Sequence, residues 1–236
     1  MERAGIGHES YVPGTEGVPG TYLLAERFPM TDIFPHQEFD EWAETYDGSV
    51  SINQFPFYGY QQVLAKTVAL AEALPGMSVL DLGTGTGNLA AGFARLSCEL
   101  WCTDFSAPML AQTRQKLPNA HILLHDLRTD LPAEWKRPFD RIVSAYVFHH
   151  FELDEKVRIL HGLLHRLAPG GRMVIGDIAF QDQAALDKAK SESGEAWEDE
   201  FYWLVDRSLL ALKKAGLRAS YRQISACAGV FVLSIP

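Results

Sequence analysis

Cysteine is scarce in this 236-residue chain: three residues, Cys98, Cys102 and Cys227. An odd count without metal-knuckle or redox spacing excludes a disulfide-stapled scaffold and fits a reducing compartment, so a cytoplasmic location is expected. Long apolar runs are missing too. Nothing approaches the roughly 20 residues that span a bilayer, and no basic-then-apolar leader opens the sequence, so neither export nor a membrane partner is expected. Positive charge is also in deficit, with 21 Lys and Arg against 30 Asp and Glu and a net charge of -9. A nucleic-acid partner would need a local basic patch rather than the overall field, and none is expected. What is present, 47% hydrophobic and 11% aromatic residues, is the composition of an ordinary globular chain able to bury a sizeable core.

Residues 1–36 hold five Gly and four Pro with no sustained apolar period, which predicts an irregular arm followed by one domain over 37–236. FDEWAETYDG from Phe39 is short and amphipathic. The next segment sets Leu64, Val68, Ala71 and Leu74 on one helical face up to Pro75-Gly76, so a helical cap precedes the first strand. Short apolar runs then alternate with helical patterns: 78–83, 99–105, 121–127, 141–148 and 171–180 read as strands. The best helix runs from Leu153 to about Ala168, with Val157, Leu160, Leu164 and Leu167 on one face and Pro169-Gly170-Gly171 as its stop. Strand and helix in alternation mean a parallel sheet covered on both faces. At the tail, Phe201, Val205, Leu209 and Leu212 mark a helix that Gly216 ends. Two further runs, from Leu217 and Gly229, are joined by only about four residues, too few for a parallel crossover, so the last strand is expected to be antiparallel. The whole is a doubly wound α/β fold on a seven-stranded, mostly parallel sheet.

Asp81-Leu-Gly83-Thr84-Gly85-Thr-Gly87 leaves the first predicted strand and opens a helix at Asn88, where glycines allow a tight turn and close approach of a ligand to the backbone. The dinucleotide fingerprint requires a third glycine at position 88, which is Asn, so a nicotinamide dehydrogenase is the weaker reading. Asp104 falls at the end of the second strand and Asp126 at the end of the third. Three carboxylates thus converge on one sheet edge, where they accept hydrogen bonds from ribose hydroxyls and an exocyclic amine and favour a cationic ligand over a pyrophosphate.

Through VLDLGTGTGNLA, CTDFSAPML, HDL, SAYVFHHF and LAPGGRMVIGD, in that order, the sequence resembles the class I S-adenosylmethionine-dependent methyltransferases, over residues about 38 to 236. Within that family it looks most like small, poorly characterised bacterial members that share FDEWAETYD at the front. The resemblance implies a Rossmann-like fold, S-adenosylmethionine as cofactor and a set of binding residues. Gly83, Thr84, Gly85 and Gly87 would shape the floor under the methionyl part, and Asp81 would order its amino end. Asp104 would hold the ribose hydroxyls, Phe105 and Met109 would flank the adenine, Asp126 would take its exocyclic amine and the Leu127 amide a ring nitrogen. Ser144 and Ala145 would face the sulfonium, and Tyr46 would close over it.

Methyl transfer is an in-line displacement at an already activated carbon, so the protein supplies proximity and alignment, and neither a metal nor a covalent nucleophile is expected. A general base matters where the acceptor must lose a proton. His149 and His150 follow the fourth strand at the edge where the resemblance places the methyl group. Alternation there sends the rings different ways, so at most one is expected in the pocket, and His149 is the candidate base. Asp177 and the aromatics Phe55, Phe57, Tyr58 and Tyr60 are candidate acceptor-pocket residues, and SESGEAWEDE (191–200) reads as a solvated loop or a lid. The first functional reading is transfer to a small-molecule acceptor. RNA, protein or a lipid quinone are alternative acceptors, although the Pro-Pro-Tyr signature of nucleic-acid methylation is absent after strand four. A regulatory protein that binds S-adenosylmethionine without catalysis is the alternative from another class, and the sequence is silent on oligomeric state.

Overall fold

The computed structural model describes residues 36–234, so the arm expected over 1–36 lies, but for its last residue, outside the described residues. Two short helices, α1 (His36–Trp42) and α2 (Tyr46–Ser49), and a longer one, α3 (Tyr60–Ala71), precede the sheet. In chain order there follow β1 (Ser78–Leu82), α4 (Asn88–Ala94), β2 (Glu99–Asp104), α5 (Ala107–Lys116), β3 (His121–Leu124), β4 (Phe139–Ala145), α6 (Leu153–Gly162) and β5 (Leu167–Phe180). The chain closes with α7 (Gln183–Ser193), β6 (Trp203–Leu204), α8 (Val205–Lys214), β7 (Arg218–Gln223) and β8 (Ala228–Ser234).

The strand order is β3-β2-β1-β4-β5-β8-β7, with the two-residue β6 beside the end of β5 as an eighth member. β1 to β5 are parallel, and β8 runs antiparallel to both β5 and β7, as the short connection requires. Alternation along the central strands divides the core between the two faces. Val79, Val143, Val174 and Val230 pack with Val63, Leu64 and Phe93 on one side; Leu80, Ile142, Met173, Ile175 and Phe231 pack with Ile159, Leu160 and Leu212 on the other. β1 is buried along its whole length, which is why it reads as an unbroken apolar run apart from Asp81. The chain leaves β1 in one direction for β2 and β3 and returns on the other side as β4, so the crevice between the ends of β1 and β4 is the switch point at which such sheets bind ligands.

Three helix boundaries differ from the sequence reading. α3 stops at Ala71 because Glu72 takes a left-handed conformation (φ 48°), which leaves Leu74 exposed. α6 ends at Gly162; a 3-10 turn follows, and Leu167-Ala-Pro-Gly-Gly is the irregular start of β5 rather than a helix stop. Phe201 is an exposed, non-helical residue before β6, and α8 starts only at Val205.

Candidate active site

Side chains from α1, α2, the ends of β1 to β4 and the 198–201 segment enclose one cavity of about 700 Å³. Its floor is the turn between β1 and α4. Gly83, Gly85 and Gly87 there all have positive φ (62°, 56° and 84°), which L side chains adopt only at a cost. Gly83 is further constrained because an added Cβ would lie 2.5 Å from a Val147 methyl, whereas at Gly85 it would meet no atom within 4 Å. The Gly85 carbonyl is held by Thr113 Oγ1 (2.7 Å) and its amide donates to Asp104 Oδ2 (2.8 Å), so β2 and α5 fix the loop from behind.

Asp81, Asp104 and Asp126 all line this cavity. Asp81 accepts from Thr84 Oγ1 (2.7 Å). Burial, and after it the charge of Asp104, raises its pKa to about 7. Asp104 also accepts from the Ser106 amide (2.9 Å), yet burial still lifts its pKa to about 6. Asp126 is different: burial works to raise it, but Arg128, which meets both carboxylate oxygens at 2.7 to 3.1 Å, overcomes that and holds it low. Phe105, Met109, Leu127 and Ala145 stand on the same wall, as does Tyr46, whose ring meets Trp42 edge-on at 4.7 Å. Two of the residues expected to bind the cofactor are not among the lining residues. Ser144 is buried in the sheet with its hydroxyl donated to the Leu82 carbonyl (2.8 Å), and Gly87 packs against Thr113 and Leu117.

The roof is tied down by Asp47, next to Tyr46 in α2. Its carboxylate accepts from Thr86 Oγ1 (2.6 Å) and Asn88 Nδ2 (2.9 Å) and pairs with Lys116 Nζ (3.0 Å). The helical cap is thereby stapled to the glycine turn.

Beyond the end of β4 stand His149 and His150. Both line the cavity, because they sit on a 3-10 turn (Phe148–His150) rather than on a continuing strand, so the alternation that predicted one ring inward does not apply. His149 Nδ1 is 2.6 Å from Asp177 Oδ1. Asp177 lies wholly buried in β5 behind the ring rather than on the cavity wall; it also accepts from Trp203 Nε1 (2.8 Å) and the Ile178 amide (2.9 Å). Glu200 reaches across from the opposite side, 3.4 Å from His149 Nε2 and 3.1 Å from His150 Nδ1. Burial opposes a charge on His149, but the carboxylates of Asp177 and Glu200 outweigh it and raise its pKa. Lys156, buried beneath Trp203 (4.6 Å to the ring centroid), donates to the Phe201 carbonyl, and burial lowers it to about 8. Of the aromatics named from sequence, Phe57 and Tyr60 line the cavity, while Phe55 stacks in the core on Trp197 (5.0 Å) and Tyr58 is exposed.

Sequence reasoning missed Tyr146, Arg128 and Glu200. Tyr146 is 7% exposed, lines the cavity and holds φ 57°, and its hydroxyl has no hydrogen-bond partner among the described residues. A buried hydroxyl without a partner is uncommon in folded proteins. With the free space above Gly85 and the carboxylates at the strand ends, the donor set fits an adenosyl sulfonium.

A family model described as a methyltransferase domain matches residues 79–171. The chain is 33% identical over 202 residues to an uncharacterized methyltransferase of Geobacillus kaustophilus, covering 80% of this chain and 91% of the relative. Among solved structures, the fold resembles that of the DhpI-SAM-HEP complex at a TM-score of 0.66 with 19% identity, covering 84% of this chain and 94% of the other. It also resembles a TehB-like SAM-dependent methyltransferase from Corynebacterium glutamicum at a TM-score of 0.60 with 19% identity, covering 86% of this chain and all of the other.

Proposed function

Since the chain belongs to the class I S-adenosylmethionine-dependent methyltransferases, we propose that it transfers a methyl group to a small-molecule acceptor bound in the same cavity as the cofactor. The observation that carries this reading is the size of the cleft. About 700 Å³ lined by α1, α2 and residues 198–201 is a volume typical of small-ligand sites.

In this reading the cofactor, when bound, supplies a methyl group already activated by the sulfonium. The residues of this chain bind and align. Asp104 accepts from the ribose with the lone-pair capacity that backbone bonds from Gly85, Ser106 and Phe105 leave. Asp81 faces the amino end. Asp126, fixed by Arg128, and the Leu127 amide meet the adenine between Phe105 and Met109. Gly83, Thr84 and Gly85 leave room for the methionyl chain, with Gly87 supporting the turn from behind. Ala145, on the wall, has a buried structural neighbour in Ser144, and Tyr46 excludes water from above. His149 stands at the acceptor end.

The test is to incubate the protein with S-adenosylmethionine and fractionated cell extract and to measure S-adenosylhomocysteine release. Activity carried by the fraction below about 1 kDa is expected. Activity confined to the RNA or protein fraction would overturn the reading. Tight cofactor binding with no release from any fraction would favour a regulatory binder.

A further inference from the structure

We infer that His149, His150 and Glu200 form a site for a divalent transition-metal cation, open toward the acceptor. The inference rests on the reading of this end of the cavity as the acceptor's place. One ligand atom from each residue lies within 4.8 Å of the others. Glu200 faces the two rings with one oxygen each, at 3.4 Å to His149 Nε2 and 3.1 Å to His150 Nδ1.

The 3.1 Å contact between Glu200 and His150 is of hydrogen-bond length, and a bound cation would take its place. Ligand atoms at about 2.1 Å from a shared ion are about 3.0 to 3.4 Å apart in octahedral or tetrahedral sites, and both Glu200 separations fall in that range. With ligand atoms up to 4.8 Å apart, the set must draw together before one ion reaches all three.

The surroundings are those of a ligand set. His149 presents Nε2 because Asp177 holds Nδ1, and Asp177 is itself anchored by Trp203 and the Ile178 amide. A carboxylate behind a histidine in this way fixes the tautomer and orients the free nitrogen toward a metal. Two imidazoles and one carboxylate suit zinc, cobalt, nickel, manganese or ferrous iron better than calcium or magnesium, which prefer oxygen. Three protein ligands leave positions facing the cavity, where an acceptor oxygen or nitrogen can coordinate. A cation there also supplies positive charge to an acidic wall on which Arg128 is spent on Asp126. His149, read from the sequence as a proton acceptor, becomes a ligand in this arrangement.

The test is titration of chelator-treated full-length protein with Co²⁺ alone, followed by calorimetry and visible absorption, for the wild type, Glu200→Ala and His150→Ala. His149→Ala is unsuitable because it strips a partner from buried Asp177. One equivalent of Co²⁺ is expected, with affinity at least about tenfold weaker in each variant; variants whose melting matches the wild type exclude misfolding as the cause. Absence of saturable binding, or binding undiminished in both variants, would overturn the site. A parallel S-adenosylmethionine titration separates the two claims: cofactor binding without Co²⁺ binding removes only the metal, whereas loss of cofactor binding removes the reading beneath it.

Discussion

Asp81 and Asp104 owe their unusual proton affinity to position: β1 and β2 deliver both carboxylates into a buried floor, with pKa values raised to about 7 and about 6 by burial. The sign of the consequence follows. Ribose hydroxyls and an amino group bind the ionised carboxylates, so protonation competes with the ligand. Cofactor affinity should fall as pH drops through 7 and 6, by about tenfold or more between pH 8 and 5, since one pKa unit corresponds to a factor of ten. Calorimetry across that range, in buffers of differing ionisation enthalpy, should also show proton release on binding. An affinity flat with pH would contradict it. Tyr146 gives a second prediction at this scale. Its hydroxyl makes no hydrogen bond among the described residues, so Tyr146→Phe should leave the melting temperature unchanged or raised. A lower melting temperature would mean that the hydroxyl stabilises the fold. The aspartates were legible because each ends a predicted strand. Tyr146 was not, since its residue type does not reveal a left-handed backbone, and neither was Glu200, whose partners lie 50 positions away.

The β1 to α4 turn separates two uses of glycine within one element. Gly83 and Gly85 share positive φ, but only Gly83 has a neighbour in the way. Both alanine variants carry the left-handed penalty of about 1 to 2 kcal/mol; Gly83→Ala adds the Val147 clash and should lower the melting temperature more. Gly85→Ala should mainly weaken cofactor binding, because its methyl points into free space, and equal binding losses in thermal-shift and calorimetric comparison would contradict the distinction. The cap offers a further test. Asp47 joins α2 to the turn through Thr86, Asn88 and Lys116, and Asp47→Ala should reduce cofactor affinity with little loss of stability, since its ion pair is largely exposed. An unchanged affinity would detach the cap from binding. Element boundaries were harder to read than elements. Leu164 and Leu167 continue the helical period of α6, yet they belong to a 3-10 turn and to β5, since an apolar residue can be buried equally well by either backbone. His149 and His150 were misjudged for the same reason, a strand period extended into a turn.

Across the whole molecule, the mostly parallel sheet and the antiparallel last strand were legible because strand–helix alternation and connection length leave few alternatives. The cavity was legible on one side only. Its floor comes from strand ends spaced regularly along the chain, while its roof and far wall come from α1, α2 and residues 198–201, brought there by packing at long range. Among the described residues no helix is long and apolar enough to cross a membrane. Whether the carboxylate-lined floor holds the adenosyl cofactor is tested most directly by calorimetric titration of the wild type and Asp104→Ala with S-adenosylmethionine and S-adenosylhomocysteine. Saturable one-to-one binding of both ligands to the wild type, weakened at least about tenfold by loss of the Asp104 hydrogen bonds, is the predicted result. Equal affinity in the two proteins, with the variant folded, would contradict it.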